Sequence, residues 1–288
     1  MTLINHTMSI QLIECPRDAM QGWKTFIPTE KKINYINSLL KTGFDTLDFG
    51  SFVSPKAIPQ MADTKEVIHG LDDSATKLLA IVANRRGAEE AVQFERIQYL
   101  GFPFSISPTF QQRNTNSSME ESLLRVEEIQ DLCSKNQKEM VVYLSMGFGN
   151  PYGDPYNEST LLHWAGEMVK RGVGIISLAD TVGLATPEQI RFALNALIPQ
   201  HPETIIGVHL HSTPSNWKQK FEAALQSGCK RFDGALKGIG GCPMAQDTLV
   251  GNMDTALMVG YLETHQQLQG INKEALKESL QIASEIFV

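Results

Sequence analysis

Eight times along this chain a short apolar or β-branched run is followed by a segment of helical period, and no other feature limits the fold as much. SIQLIEC precedes TEKKINYINSLLKTG, where Ile33, Ile36 and Leu40 share a face and Gly43 supplies the stop. TLDFGSF precedes TKEVIHGL, KLLAIVAN precedes EEAVQFERI, and YLGFPFSI precedes SMEESLLRVEEI, where Ser118 and Glu121 make a capping box. EMVVYLSMGF then leads to STLLHWAGEMVKRG, and GIISLAD to TPEQIRFALNALI, with Thr186 as cap, Pro187 in the first turn and Gln189 completing the box. IIGVHLHS leads to SNWKQKFEAALQSG, with Trp217, Phe221, Ala224 and Leu225 as the expected buried stripe, and RFDGALK to MDTALMVGYLETHQQL. Near-continuous apolar strands suit a parallel sheet covered by helices, and eight is the number that closes such a sheet. The expected fold is α/β, a (β/α)8 TIM barrel with an extra C-terminal helix, KEALKESLQIASEIF. Residues 1–288 read as one domain with 270–288 as a helical extension; because periodicity does not count closure, a doubly wound open sheet is the alternative.

A chain of 288 residues, 42% hydrophobic, has ample material for a core of that size. Its net charge of −7 supplies no basic footprint for nucleic acid or an anionic membrane, so a small-molecule partner is expected. No stretch approaches the roughly 18 apolar residues of a membrane span, and the start lacks the pattern of a secretory signal; the expected location is cytoplasmic. Cys15, Cys133, Cys229 and Cys242 are scattered without paired metal spacing and read as free thiols.

In a barrel, function collects where strands end and loops enter the helices. GVHLHST, residues 207–213, puts His209 and His211 two positions apart, so in a strand both imidazoles face one way. Asp18 closes the first predicted strand, and strands one and seven both flank strand eight, so closure brings one carboxylate and two imidazoles to one mouth. That mixed set suits a divalent cation with open positions for substrate. Oxygen ligands admit Mg²⁺ or Mn²⁺, while imidazoles also accept Co²⁺ or Zn²⁺. Arg17, read as a strand-end residue, either stabilises negative charge on a carbonyl oxygen or pairs with a neighbouring carboxylate. GIGGCPMA, residues 238–245, follows strand eight as a glycine-rich loop able to carry the Cys242 thiol into the mouth. Its glycines do not match a dinucleotide fingerprint.

Taken together, PRDAMQ, SFVSPKAIPQMAD, RNTNSSMEESL, ADTVGLATP, GVHLHST, GGCPMA and the GN at 251–252 closely resemble the 3-hydroxy-3-methylglutaryl-CoA lyase family of metal-dependent TIM barrels. The likeness spans nearly the whole chain. It implies cleavage of an acyl-CoA thioester to acetoacetate and acetyl-CoA, with Asp18, His209, His211 and Asn252 as cation ligands. It also implies Arg17 as stabiliser of the enolate oxygen, Cys242 as a participant in proton transfer, and Asp180 near the substrate hydroxyl beside Ser177 and Thr181. Gln21 would lie at the edge of the cation site, and homodimers built through outer helices are common among such barrels.

Three departures bear on the acyl group. Asp48 stands where the family usually has glutamate at the end of strand two, followed by Phe49 and Gly50; Ala256 replaces an acidic residue; and strand five ends MGFGNPYGD, without a cysteine-containing turn. All three are expected to line the mouth. Lys56 and Arg113, in strand-end loops, are the candidates for the CoA phosphates. The alternatives to the methylglutaryl lyase are a relative acting on another 3-hydroxyacyl-CoA and a non-catalytic acyl-CoA-binding barrel.

Overall fold

The structure, a computed structural model, describes residues 9–241 and 250–288; Cys242 therefore lies outside the described residues. The strands are β1 (Gln11–Glu14), β2 (Thr46–Ser51), β3 (Lys77–Ile81), β4 (Ile97–Ser105), β5 (Glu139–Ser145), β6 (Ile175–Ala179), β7 (Ile205–His209) and β8 (Arg231–Gly234). They form a closed barrel in chain order, all parallel, with β1 paired to β8. This excludes the open sheet. Strand β5 shows how one sequence serves both surfaces: Met140, Val142 and Leu144 join the large core under the helices, while Val141 and Tyr143 join Leu79, Ile81, Tyr99 and Ile175 inside the barrel.

Around the barrel lie α1 (Pro16–Gln21), α2 (Thr29–Leu40), α3 (Thr64–His69), α4 (Arg85–Ala91), α5 (Pro108–Thr115) and α6 (Met119–Lys135). They are followed by α7 (Glu158–Lys170), α8 (Pro187–Gln200), α9 (Trp217–Gln226), α10 (Thr255–Thr264) and the terminal α11 (Lys273–Ile286). Both predicted capping boxes are present, at the starts of α6 and α8. Among the described residues no helix is long and apolar enough to cross a membrane.

Several local expectations change. Arg17 and Asp18 sit on a helix rather than at a strand end: Pro16, with its preset φ, opens α1 straight after β1, and Asp18 falls in the first turn where helix dipole and carboxylate attract. The helix predicted at 89–97 runs from Arg85 to Ala91, because the Asn84 side chain accepts the Gly87 N–H and starts it early. Helix α5, absent from the sequence reading, is capped by Ser107, opened by Pro108 and ended by Asn116 in the left-handed region at φ 48°. On α9 the buried positions are Lys220, Phe221, Ala223 and Ala224, with Trp217 and Leu225 only half-buried.

Candidate active site

Strand β7 ends at His209, and His211 lies just beyond it in an isolated antiparallel bridge with Asn252. Two backbone bonds fasten that bridge, Ser212 N–H to the Gly251 carbonyl at 2.9 Å and Met253 N–H to the Leu210 carbonyl at 3.1 Å. From the other side α1 delivers Asp18. Ligand atoms of Asp18, His209 and His211 all lie within 4.8 Å of one another, and all three residues are buried. The Asn252 amide donates to Asp18 Oδ2 at 2.6 Å and to the Ile239 carbonyl at 2.9 Å.

Whether this cluster fits a cation can be judged from its unspent bonding capacity. The two histidines point Nε2 at Nε2 across 3.4 Å, an arrangement in which at most one can donate, and His211 Nδ1 is buried without a partner. Asn252 Oδ1 is buried without a partner. A divalent ion would use a nitrogen of each ring and that oxygen, so the residues fit it. Burial pushes the Asp18 carboxyl up, but Arg17, His209 and His211 outweigh that and bring it down to about 2. Burial and the neighbouring His209 bring His211 down to about 3, leaving it neutral as a ligand must be. For His209, burial lowers the pKa, yet the bond to Asp233 (Nδ1 to Oδ2, 3.3 Å) and the charge of Asp18 raise it overall. Asp233 thereby directs Nε2 outward.

Arg17 is shared between two buried carboxylates. Its Nε donates to Asp48 Oδ1 and Oδ2 at 3.1 and 3.0 Å, and Nη2 makes a close ion pair with Asp48 Oδ2. Nη1 reaches Asp18 Oδ1 at 2.9 Å and Gln21 Oε1 at 2.8 Å, and the Gln21 amide returns a bond to Asp18 Oδ1 at 2.9 Å. Positions 17 and 21 are one helical turn apart, which is why they meet.

These groups border an open cleft at the mouth of the barrel. Its polar wall is Arg17, Asp18, Gln21, Thr181, His209 and His211; Val53, Ile58, Ile81, Phe110 and Tyr143 are on the apolar side. Asp48, Ser177, Asp180 and Asn252 are not among the lining residues. Asp48 acts on the cleft only through Arg17. Ser177 Oγ is buried and unpartnered, and both Asp180 oxygens are taken, by the Ala185 N–H at 2.9 Å and Lys220 Nζ at 2.7 Å. The expectation that the departures line the mouth is not met: Asp48 stands behind Arg17, Phe49 packs outward into the core beneath the helices, Ala256 packs against that core from α10, and Met146 and Phe148 of the turn after β5 join the same core instead of the cleft lining. Lys56 is exposed, and the Arg113 guanidinium stands 4.5 Å over the Tyr152 ring.

Two residues in this framework escaped the sequence reading. Lys220 is buried and spends its three donors on Asp180, the Gly183 carbonyl (3.0 Å) and the His211 carbonyl (2.8 Å). The signal was a lysine on the apolar stripe of α9, one turn from Trp217 and from Ala224. Asp233 is a carboxylate at an inward position of β8, legible only once the barrel's inside is known.

A family model described as HMGL-like matches residues 10–283. The chain belongs to the HMGL-like family. Among HMGL-like relatives, the hydroxymethylglutaryl-CoA lyase of Bacillus subtilis is 34% identical over 86% of this chain and 83% of its own length. The mitochondrial hydroxymethylglutaryl-CoA lyase of Mus musculus is 31% identical over 94% of this chain and 83% of its own. Among solved structures, an HMG-CoA lyase from Acinetobacter baumannii, in complex with coenzyme A and 3-methylmalate, matches with a TM-score of 0.90 and 30% identity, covering 99% of this chain and 93% of that one.

Proposed function

We propose that this chain is a divalent-cation-dependent carbon–carbon lyase that cleaves 3-hydroxy-3-methylglutaryl-CoA into acetoacetate and acetyl-CoA. The observation that carries the reading is the convergence of Asp18, His209 and His211 at a cleft that Arg17 also lines. The hydroxymethylglutaryl-CoA lyases among its relatives, one of them solved with coenzyme A bound, support the substrate class.

In this reading Asp18, His209 and His211 hold the cation, with Asn252 Oδ1 as a fourth ligand. Mg²⁺ or Mn²⁺ suits the oxygen donors, and Co²⁺ or Zn²⁺ the imidazoles. Bound there, the ion supplies Lewis acidity that makes the substrate's tertiary hydroxyl easier to deprotonate. Once that proton has passed to solvent in the open cleft, the C2–C3 bond breaks, C3 becomes the ketone of acetoacetate, and the electron pair moves onto the thioester as an enolate. Arg17 lies beside the developing oxygen charge and, being held by Asp48 and Asp18, needs no reorganisation as the charge forms. Protonation of the enolate carbon completes acetyl-CoA; Cys242 is the residue we assign to that proton. Gln21 steadies Asp18 and Arg17 together, and Thr181 borders the acyl end of the cleft. Asp180, tied to Lys220, and Ser177 beside it on β6 contribute from behind the lining.

The test is acetyl-CoA release from 3-hydroxy-3-methylglutaryl-CoA by purified protein loaded with Mg²⁺ or Mn²⁺. Turnover that chelation abolishes and the metal restores is the expected result; metal-loaded protein that releases no acetyl-CoA overturns the assignment.

A further inference from the structure

Below the cation site, inside the barrel, a second set of ligand atoms converges. Strand register puts Asp233 of β8 level with Ile13 of β1 on one side and His209 of β7 on the other. Cys15, two residues beyond Ile13, faces the same interior. One ligand atom each from Cys15, His209 and Asp233 lie within 4.8 Å of one another, and all three residues are buried. Atoms no further apart than 4.8 Å share a point at most about 2.8 Å from each, so shifts of at most about 0.5 to 0.8 Å reach zinc–ligand distances of roughly 2.0 to 2.3 Å.

Two observations point to a ligand there. Asp233, 2% exposed, has its Oδ1 buried without any hydrogen-bond partner, although an unsatisfied buried carboxylate oxygen is costly. The Cys15 thiol makes only a long contact, 3.8 Å to the Ile13 carbonyl, and the nearby carboxylates of Asp233, Asp48 and Asp18 surround it with negative potential. Mg²⁺ and Mn²⁺ prefer oxygen, whereas a thiolate–imidazole–carboxylate set selects soft ions.

We propose that Cys15, His209 and Asp233 form an inner site for a thiophilic divalent cation, Zn²⁺ or Cd²⁺, whose occupancy antagonises the outer site because the two share one imidazole ring. His209 turns Nδ1 toward Asp233 and Nε2 toward His211. On binding, the Cys15 S–H bond breaks and its proton leaves to water as the sulfur–metal bond forms, while the His209 ring proton passes from Nδ1 to Nε2 by exchange with water, so that the Nδ1 lone pair faces the ion; no oxidation state changes. A neutral ring that gives its lone pair at Nδ1 to one cation carries its proton on Nε2 and has no lone pair there for a second, and two dications on one ring repel. Ions enter from the cleft, which His209 itself lines. Only the activity arm of the following test rests on the lyase reading.

The experiment is a Cd²⁺ titration of the Mg²⁺-loaded protein, following the ultraviolet thiolate-to-cadmium charge-transfer band, with cadmium stoichiometry from equilibrium dialysis. Wild type is expected to develop the band, saturating with one cadmium bound through sulfur, and to lose turnover in parallel. Cys15→Ala, or Cys15→Ser if the alanine variant does not fold, is expected to lack the band and to tolerate about tenfold more Cd²⁺ before inhibition. No band in wild type, or an undiminished band in the Cys15 variants, overturns the inner site. A protein that shows the band but never releases acetyl-CoA overturns the lyase reading and leaves the inner site standing.

Discussion

Arg17 presents five N–H donors in a rigid fork, and its five contacts go to the Asp48 carboxylate on β2 and to Asp18 and Gln21 on its own helix. Asp48 is fully buried: burial raises its carboxyl pKa while Arg17 pulls it back, so the pair depends on both members. Arg17→Gln is expected to lower kcat by about 10²- to 10³-fold, the usual cost of losing a donor to a developing oxyanion. It should also destabilise the fold by about 3–5 kcal/mol, because Asp48 is left as an uncompensated buried charge. Steady-state kinetics beside denaturant unfolding separates the two effects, and a kcat that survives the substitution removes Arg17 from the chemistry. Arg17 and Asp18 stood out in the sequence by type and spacing. A pairing of Arg17 with a neighbouring strand-end carboxylate was one of its two sequence readings; that the carboxylate is Asp48, 31 residues away, depends on α1 packing against β2.

At the scale of elements, α9 does more than cover the barrel. Through Lys220 it fastens the segment after β6, by Asp180 and Gly183, to the segment after β7, by the His211 carbonyl. Both members of the ion pair are about 97% buried. Lys220→Met therefore leaves a buried carboxylate unpaired and should cost about 3–5 kcal/mol of stability, whereas the double variant Lys220→Met/Asp180→Asn recovers much of that loss. Cation affinity supplies a second readout: loosening the His211 backbone should weaken metal binding in the single variant, measured by titration calorimetry. Equal stability of single and double variants would mean that the pair is not coupled. Helix starts were readable where the cap is local, as at Ser118 and Thr186, and equally available at Ser107–Pro108, where α5 was read as loop. The burial of Lys220 was not readable in that way, since its acceptors are 9, 37 and 40 residues distant.

The molecule as a whole closes where its first strand meets its last helices. Glu14, at the end of β1, faces outward into that seam and accepts the Leu236 N–H at 2.9 Å, while its other oxygen is unpartnered. Burial raises its pKa to about 8 against the opposing bond from the Leu236 N–H. A carboxyl raised from 4.5 to about 8 binds a proton on folding between those values. Its contribution to stability is thus fully present below about pH 4.5 and is lost as the pH rises through about 8. Glu14→Gln keeps the neutral form at every pH, so wild type is expected to lose on the order of 4 kcal/mol relative to this variant between pH 5 and 9. Urea unfolding across that range checks it, and a constant difference between the two proteins refutes a protonated Glu14.

The alternation of strands and helices, their number, and the residue types able to bind a cation were set by the sequence alone, because periodicity and capping are short-range properties of the backbone and its nearest side chains. Tertiary structure decided which polar groups meet. Asp18 reaches Asn252 across 234 residues, Asp233 stands behind His209, and Phe49 turns into the outer core rather than the mouth. Those outcomes follow from barrel closure and strand register, which assign every side chain to the inside, the outside or the rim; no local pattern carries that information, since a strand looks the same in sequence whichever of its two faces is turned inward.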